Sequence, residues 1–100
     1  MKKNLVLCAA GDQSLHKLWL QGENKHFDLM LIYLGVKTDR YRNDARYYLQ
    51  ASGMFKLENI AWALDKFYDI VVGYDAVFLP DDDIFMTSSD IHRLFEVFHR

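Results

Sequence analysis

Three adjacent carboxylates, Asp81, Asp82 and Asp83, have the types and spacing best suited to chemistry in this chain. Like charges this close need a cation or a raised pKa. An extended backbone would place Asp81 and Asp83 on one side and Asp82 on the other. Carboxylate oxygens suit Mg²⁺ or Mn²⁺, and a site with few protein ligands leaves room for phosphates. The cluster therefore predicts a metal site at Asp81 and Asp83, with a solvated turn as the alternative.

The hydrophobic pattern around this cluster predicts alternating strands and helices. Continuous apolar runs are typical of strands buried in a parallel sheet, and a period of 3.6 residues indicates a helix. The predicted strands are residues 5–9, 28–33 and 76–79, and the predicted helices are residues 14–20, 56–71 and 88–98. Residues 47–53 fit either a short helix or a strand. This order predicts a single α/β domain over residues 1–100, a three-layer sandwich with a mainly parallel, Rossmann-like sheet and the first strand central.

The same periodicities predict which side chains face the core. The residues expected inside are Cys8, Trp19, Leu57, Ile60, Ala61, Leu64, Phe67, Ile91, Leu94, Phe95 and Phe98. Ser88 or Ser89 is expected to cap the last helix, because a serine hydroxyl can accept a hydrogen bond from the first turn. The four histidines share no metal-ligand spacing and are expected at surface or half-buried positions.

Polar segments follow each predicted strand. Gly11 and Asp12 come after the first strand, residues 37–40 after the second, and the three aspartates after the third. In parallel α/β sheets, ligands bind outside the carboxyl ends of the strands. These segments are therefore expected to share one ligand-binding edge. Arginines near the second segment either contact a diphosphate or pair with neighbouring acids; they are Arg40, Arg42 and Arg46.

Composition excludes several classes of function. Twelve basic and fourteen acidic residues give a net charge of −2, so no broad basic surface is expected to hold nucleic acid. No apolar run approaches the roughly 18 residues of a membrane span. The opening apolar run is shorter than a signal peptide requires, so a cytoplasmic location is expected. Glycine-rich phosphate-binding loops and the Gly-x-Ser-x-Gly elbow are absent from the sequence, which disfavours ATPases, dinucleotide enzymes and many serine hydrolases.

The acidic cluster also resembles a known motif. Asp81-Asp82-Asp83 after AVFLP is similar to the Asp-x-Asp motif of GT-A-fold glycosyltransferases. The helix that begins at Lys56 resembles the Lys-x-x-x-Leu-Asn type of helix that precedes this strand in many members. FKLENIAWAL followed by YDAVFLPDDDI is closest to an uncharacterised branch of that superfamily found in plants and bacteria.

This resemblance implies the donor-binding half of a glycosyltransferase-like protein, the N-terminal part of a larger domain. It implies a nucleoside-diphospho-sugar donor, an unspecified acceptor, and Mn²⁺ or Mg²⁺ at Asp81 and Asp83. The donor contacts that it implies are Gly11, Asp12, Asp39, Lys56, Asp81 and Asp82. No catalytic residue is identified. An incomplete sheet is also expected to self-associate through an exposed edge.

Two other functions stay open. One is a non-catalytic nucleotide- or metal-binding module. The other is an aspartyl-phosphate phosphotransferase, for which Asp12 is the acidic residue that follows the first strand. Asp39 and Lys56 also have plainer interpretations, as a turn residue and a solvated helix end.

Overall fold

Four parallel strands form the centre of this protein. The structure, a computed structural model, describes residues 2–22, 26–51 and 56–100. The strands are β1 (Asn4–Ala10), β2 (Asp28–Tyr33), β3 (Tyr47–Gln50) and β4 (Ala76–Phe78), and their order in the sheet is β3-β2-β1-β4. All three pairings are parallel, so the predicted parallel α/β sheet with a central first strand is confirmed.

Strand β1 is buried along its whole length, as its continuous apolar sequence predicts. Alternate side chains point to opposite faces of a strand, and they join two separate hydrophobic clusters. Val6 and Cys8 pack with Ile91 and Phe95 in one cluster. Leu5 and Leu7 pack with Ala63 in the other, so helices flank the sheet.

Strand β3 resolves the segment that fits either a helix or a strand. Tyr47 and Leu49 pack against the cluster that contains Ala63, whereas Tyr48 packs against the cluster that contains Ile91. This alternation is the period of a strand, and β3 pairs with β2 from Met30 opposite Tyr47. The sheet therefore has a fourth strand in addition to the three predicted. Gly53, predicted to end this segment, lies outside the described residues.

The helices that precede β4 in the chain are shorter than predicted. Helix α1 covers only His16–Trp19, and the predicted helix 56–71 is divided into α2 (Lys56–Lys66) and α3 (Tyr68–Val71). The division falls at Phe67, whose ψ of 23° departs from helical geometry. Trp19 is buried, as predicted.

The predicted inward line of helix α2 is confirmed only in part. Ile60, Leu64 and Phe67 pack against the cluster that contains Ala63, as predicted. Leu57 is 80% exposed and Ala61 is exposed, so both inward predictions are wrong. Asn59 and Ala63 are fully buried instead. Because Asn59 is polar, a pattern of apolar residues does not predict that it faces the core.

Helix α4 (Ser88–Phe98) has the predicted bounds but a different cap. Thr87 is the N-cap and forms a capping box with Asp90, whose backbone N–H donates to Thr87 Oγ1 at 3.2 Å. Ser88 donates to the carbonyl of Gln21 instead, so the prediction of a serine cap is wrong.

The inward face of α4 is narrower than predicted. Ile91 and Phe95 are buried, whereas Leu94 and Phe98 are 40% and 68% exposed and contradict the prediction. No helix in the described ranges is long and apolar enough to cross a membrane.

Candidate functional site

The loops that follow β1 and β4 meet at the carboxyl edge of the sheet. The backbone N–H of Gly11 donates to Asp82 Oδ2 at 2.9 Å, and the N–H of Leu15 donates to the Asp82 carbonyl at 2.7 Å. Strands β1 and β4 are neighbours and parallel, so their carboxyl ends lie side by side. Asp82 therefore fastens the acidic turn to the loop after β1. A Cβ on Gly11 would lie 3.8 Å from Asp82 Oδ2, so space alone does not require glycine there.

Lys56 joins the same region from the start of α2. Its Nζ lies 2.5 Å from Asp81 Oδ1, and this hydrogen bond raises the pKa of the Lys56 ammonium. Both side chains are partly open to solvent, with 36% and 68% exposure, so the pair contributes little to stability. The structure thus brings together four of the predicted site residues: Gly11, Lys56, Asp81 and Asp82.

The acidic segment is a turn rather than the predicted extended strand end. Asp82 and Asp83 lie in the turn, so the predicted extended backbone does not continue through the cluster. Asp81 and Asp83 are exposed. Within the described ranges, no three His, Cys, Asp or Glu side chains are placed to hold a metal ion. The residues therefore do not fit a cation held by protein side chains alone, but exposed carboxylates fit one whose remaining ligands are phosphate oxygens and water.

Cys8 lies directly beneath this edge and belongs to the core, as predicted. Its side chain is fully buried. Burial, and then the charge of Asp82, raises the pKa of the Cys8 thiol to about 12. A thiol with so high a pKa stays protonated, which makes it a poor nucleophile and metal ligand.

Asp12 belongs to a neighbouring group of polar side chains. Its Oδ1 accepts a hydrogen bond from the Tyr33 hydroxyl at 2.6 Å and lies 3.4 Å from an Arg40 nitrogen. The Tyr41 hydroxyl donates to the Asp12 carbonyl at 3.0 Å. Gly35 makes room for this arrangement, because an added Cβ there would overlap the Tyr33 hydroxyl. Asp12 is thus held in place beside Gly11.

Asp39 does not reach the acidic turn through any contact that the structure describes. Its backbone N–H donates to Gln50 Oε1 at 3.1 Å, and its carboxylate pairs with Arg42 at 3.0 Å. Asp39 and Tyr41 both have positive φ, 56° and 68°. Non-glycine residues adopt this conformation at an energetic cost, and such residues are concentrated at ligand-binding sites.

Each of the three arginines lies beside an acid, but only one of these acids is the sequence neighbour Asp39. Arg42 pairs with Asp39 as expected, whereas Arg40 lies beside Asp12 and Arg46 lies 3.7 Å from Asp28. Their alternative role, as diphosphate contacts, stays a prediction.

A serine, a histidine and an aspartate form a hydrogen-bonded chain that the sequence interpretation missed. Ser14 Oγ lies 2.7 Å from His16 Nδ1, and His16 Nε2 lies 2.8 Å from Asp44 Oδ2. His16 is fully buried, so its predicted surface or half-buried position is wrong. Burial lowers the pKa of His16 below its usual 6.5, although the hydrogen bond to Asp44 opposes the shift. Asp44 is 28 positions away, so only the adjacent Ser-x-His pattern was visible in the sequence.

The opposite, amino-terminal edge of the sheet carries a cleft of about 800 Å³. The start of each of β1, β2 and β3 lines it, together with Tyr74 and residues of α4. Tyr74 donates a short hydrogen bond to Asp28 there. None of the predicted metal ligands or donor contacts lines this cleft, although Arg46, a possible diphosphate contact, does.

Comparison of the chain with protein-family models, curated proteins and solved structures finds no match to any of them.

Proposed function

We propose that this chain binds a nucleoside-diphospho-sugar at the carboxyl edge of its sheet and serves as the donor-binding half of a glycosyltransferase. The observation that carries the proposal is the contact of three separate segments at that edge. Gly11 reaches Asp82 at 2.9 Å, and Lys56 reaches Asp81 at 2.5 Å. The resemblance of the acidic segment to the Asp-x-Asp motif supports the same class of ligand. A three-layer GT-A-type architecture and a cytoplasmic location belong to this proposal.

Charge at the edge suits a diphosphate only when a cation is present. The turn region carries three carboxylates and one lysine, which contacts Asp81. Its excess negative charge would repel the phosphates. Asp81 and Asp83 would hold Mn²⁺ or Mg²⁺, which when bound neutralises the negative charge of a departing diphosphate. Lys56 adds a fixed positive charge beside Asp81.

The remaining residues have positioning roles in this proposal. Asp82 holds the acidic turn against the loop after β1, because its two oxygen acceptors take the N–H groups of Gly11 and Leu15. Asp12 would present a carboxylate to the nucleoside, held in place by Tyr33. Asp39, on the loop after β2, would contact the base or ribose after a change in its pairing with Arg42.

Calorimetric titration of nucleoside diphosphates, with and without Mn²⁺, tests the proposal. Metal and nucleotide each supply ligands for the other, so binding is expected to be cooperative in both directions. Turnover of a nucleotide-sugar would support transfer, and binding without turnover would support the non-catalytic module. Nucleotide binding that ignores Mn²⁺, or no nucleotide binding, would contradict the proposal.

Self-association through the outer strand β4 is a further part of this proposal. Val77 and Leu79, in and just after β4, are 38% and 50% exposed. An outer strand with exposed apolar side chains can pair with another chain. Light scattering at rising protein concentration would detect such association, and a strictly monomeric species would contradict it.

A further inference from the structure

We propose that Ser14 is an activated nucleophile, with His16 as its general base and Asp44 as the group that orients the base, and that it accepts an acyl group from an activated ester. The two links measure 2.7 Å, from Ser14 Oγ to His16 Nδ1, and 2.8 Å, from His16 Nε2 to Asp44 Oδ2. A nucleophile within hydrogen-bond reach of a base that a third group orients is the arrangement that nucleophilic catalysis requires. Such sites are recognised by geometry, so the missing Gly-x-Ser-x-Gly elbow does not exclude one.

The hydrogen bonds indicate which nitrogen of the His16 ring carries the proton. The Asp44 carboxylate accepts the hydrogen bond from His16 Nε2, so a neutral ring carries its proton on Nε2. Nδ1 is then free to accept the proton of the Ser14 hydroxyl. Burial lowers the pKa of His16, which favours the neutral ring that a general base requires. The ring has no exposed surface, and Tyr41 packs edge-on against it with centroids 4.5 Å apart. Exclusion of water from the ring strengthens the hydrogen bonds that it makes.

Ser14 has a second source of activation. The backbone N–H of His16 donates to Ser14 Oγ at 3.2 Å. That bond on its own would be a local turn at the start of a helix. With the ring Nδ1 also in reach, the same N–H stabilises negative charge on the Ser14 oxygen as its proton leaves, which eases deprotonation of the nucleophile. Ser14 is half-buried in the loop after β1, so its hydroxyl lies at the carboxyl edge where ligands bind in parallel sheets.

The reaction balances within these groups and the ester. The Ser14 oxygen forms a bond to the acyl carbon while its proton passes to His16 Nδ1. Asp44 stabilises the resulting imidazolium. The carbon–oxygen bond to the leaving group then breaks, and His16 returns the proton to the departing alkoxide. Water can remove the acyl group by the same path, so no oxidant or metal is needed.

Treatment of the intact chain with a fluorophosphonate, a serine-directed electrophile, tests this inference independently of nucleotide binding. We expect one adduct per chain, mapped by peptide mass spectrometry to Ser14 and lost in Ser14→Ala. His16→Gln should react about 100-fold more slowly, since general bases contribute factors of this size, and Asp44→Asn should also react more slowly. Ser89→Ala, at an exposed serine of α4, is the matched control and should react at the wild-type rate.

Mapping the adduct in the wild-type chain does not depend on whether a variant folds. No adduct, an adduct at another serine, or an unchanged rate in folded His16→Gln would overturn the inference. Circular dichroism of each variant establishes that it is folded.

Discussion

The two edges of the sheet differ in what their residues are placed to do. At the carboxyl edge, loops after β1 and β4 and the start of α2 are joined through charged groups, with Lys56 2.5 Å from Asp81. At the amino edge, a cleft of about 800 Å³ lies among strand starts, and its Asp28 is already bonded to Tyr74 and close to Arg46. This cleft and the converging charged groups therefore lie at different edges of the sheet. The proposed site follows the convergence of charged groups from separate loops rather than the cleft.

Matched glycine substitutions at the two edges give the largest expected difference. Gly35→Ala would drive a methyl group into the buried Tyr33 ring, whose hydroxyl is held by Asp12. We expect a loss of about 3 kcal/mol in the free energy of unfolding, from overpacking and a lost hydrogen bond. Gly73→Ala, beside the amino-edge cleft, places its Cβ 3.3 Å from the Ile70 carbonyl oxygen and should change stability by less than about 1 kcal/mol.

Urea denaturation of both variants measures this difference. Equal losses at the two glycines would show that the carboxyl edge is no more tightly packed than the amino edge. If Gly35→Ala is as stable as the wild type, the Tyr33 ring can move away from Asp12 without a loss in the free energy of unfolding.

Tyr74→Phe tests whether the amino edge is a structural rather than a ligand-binding region. The substitution removes the hydroxyl that donates to Asp28, and we expect a loss of about 1.5 kcal/mol in the free energy of unfolding. Metal-dependent nucleotide binding should be unchanged, because Asp28 lies at the other edge. Weaker nucleotide binding in a folded Tyr74→Phe protein would contradict this separation.

The same tyrosine predicts a dependence on alkaline pH. Burial, and then the hydrogen bond to Asp28, raises the pKa of Tyr74 above its usual value of 10.0. Above pH 10 the unfolded chain loses this proton while the folded chain keeps it, so the unfolded state binds fewer protons and stability falls as pH rises. The contribution of Tyr74 is complete below pH 10. The free energy of unfolding should therefore fall less between pH 8 and pH 10.5 in Tyr74→Phe than in the wild type, and equal losses would contradict the assignment.

Much of the fold was predictable because burial in a parallel sheet leaves a strong sequence pattern. The bounds of β2 and α4 agree with the prediction, and the cores of β1 and β4 were predicted to within one or two residues. Strand β3 was ambiguous, since its four half-buried residues are too few to separate two periodicities. The exposed Leu57 and the buried Asn59 reverse what hydrophobicity predicts, because the orientation of α2 depends on tertiary contacts.

The candidate site was predictable only in part, because it also depends on contacts between distant segments. The carboxyl-edge rule correctly placed Gly11 beside Asp82. Pairings between distant segments, such as Lys56 with Asp81 and His16 with Asp44, leave no local pattern in one sequence. The turn at Asp82 and Asp83 was one of two alternatives, because three adjacent aspartates fit either a strand end or a turn.

Removal of one negative charge at each edge tests the central claim most directly. Asp81→Asn and Asp83→Asn take a carboxylate from the acidic turn, and Glu96→Gln takes one from the amino-edge cleft, where its side chain is 61% exposed. Calorimetry with Mn²⁺ and a nucleoside diphosphate should show binding weakened by at least ~10-fold, or about 1.4 kcal/mol, in both aspartate variants. Glu96→Gln should bind as the wild type does. Unchanged binding in both aspartate variants, or equal weakening in Glu96→Gln, would contradict a metal-dependent nucleotide site at the carboxyl edge.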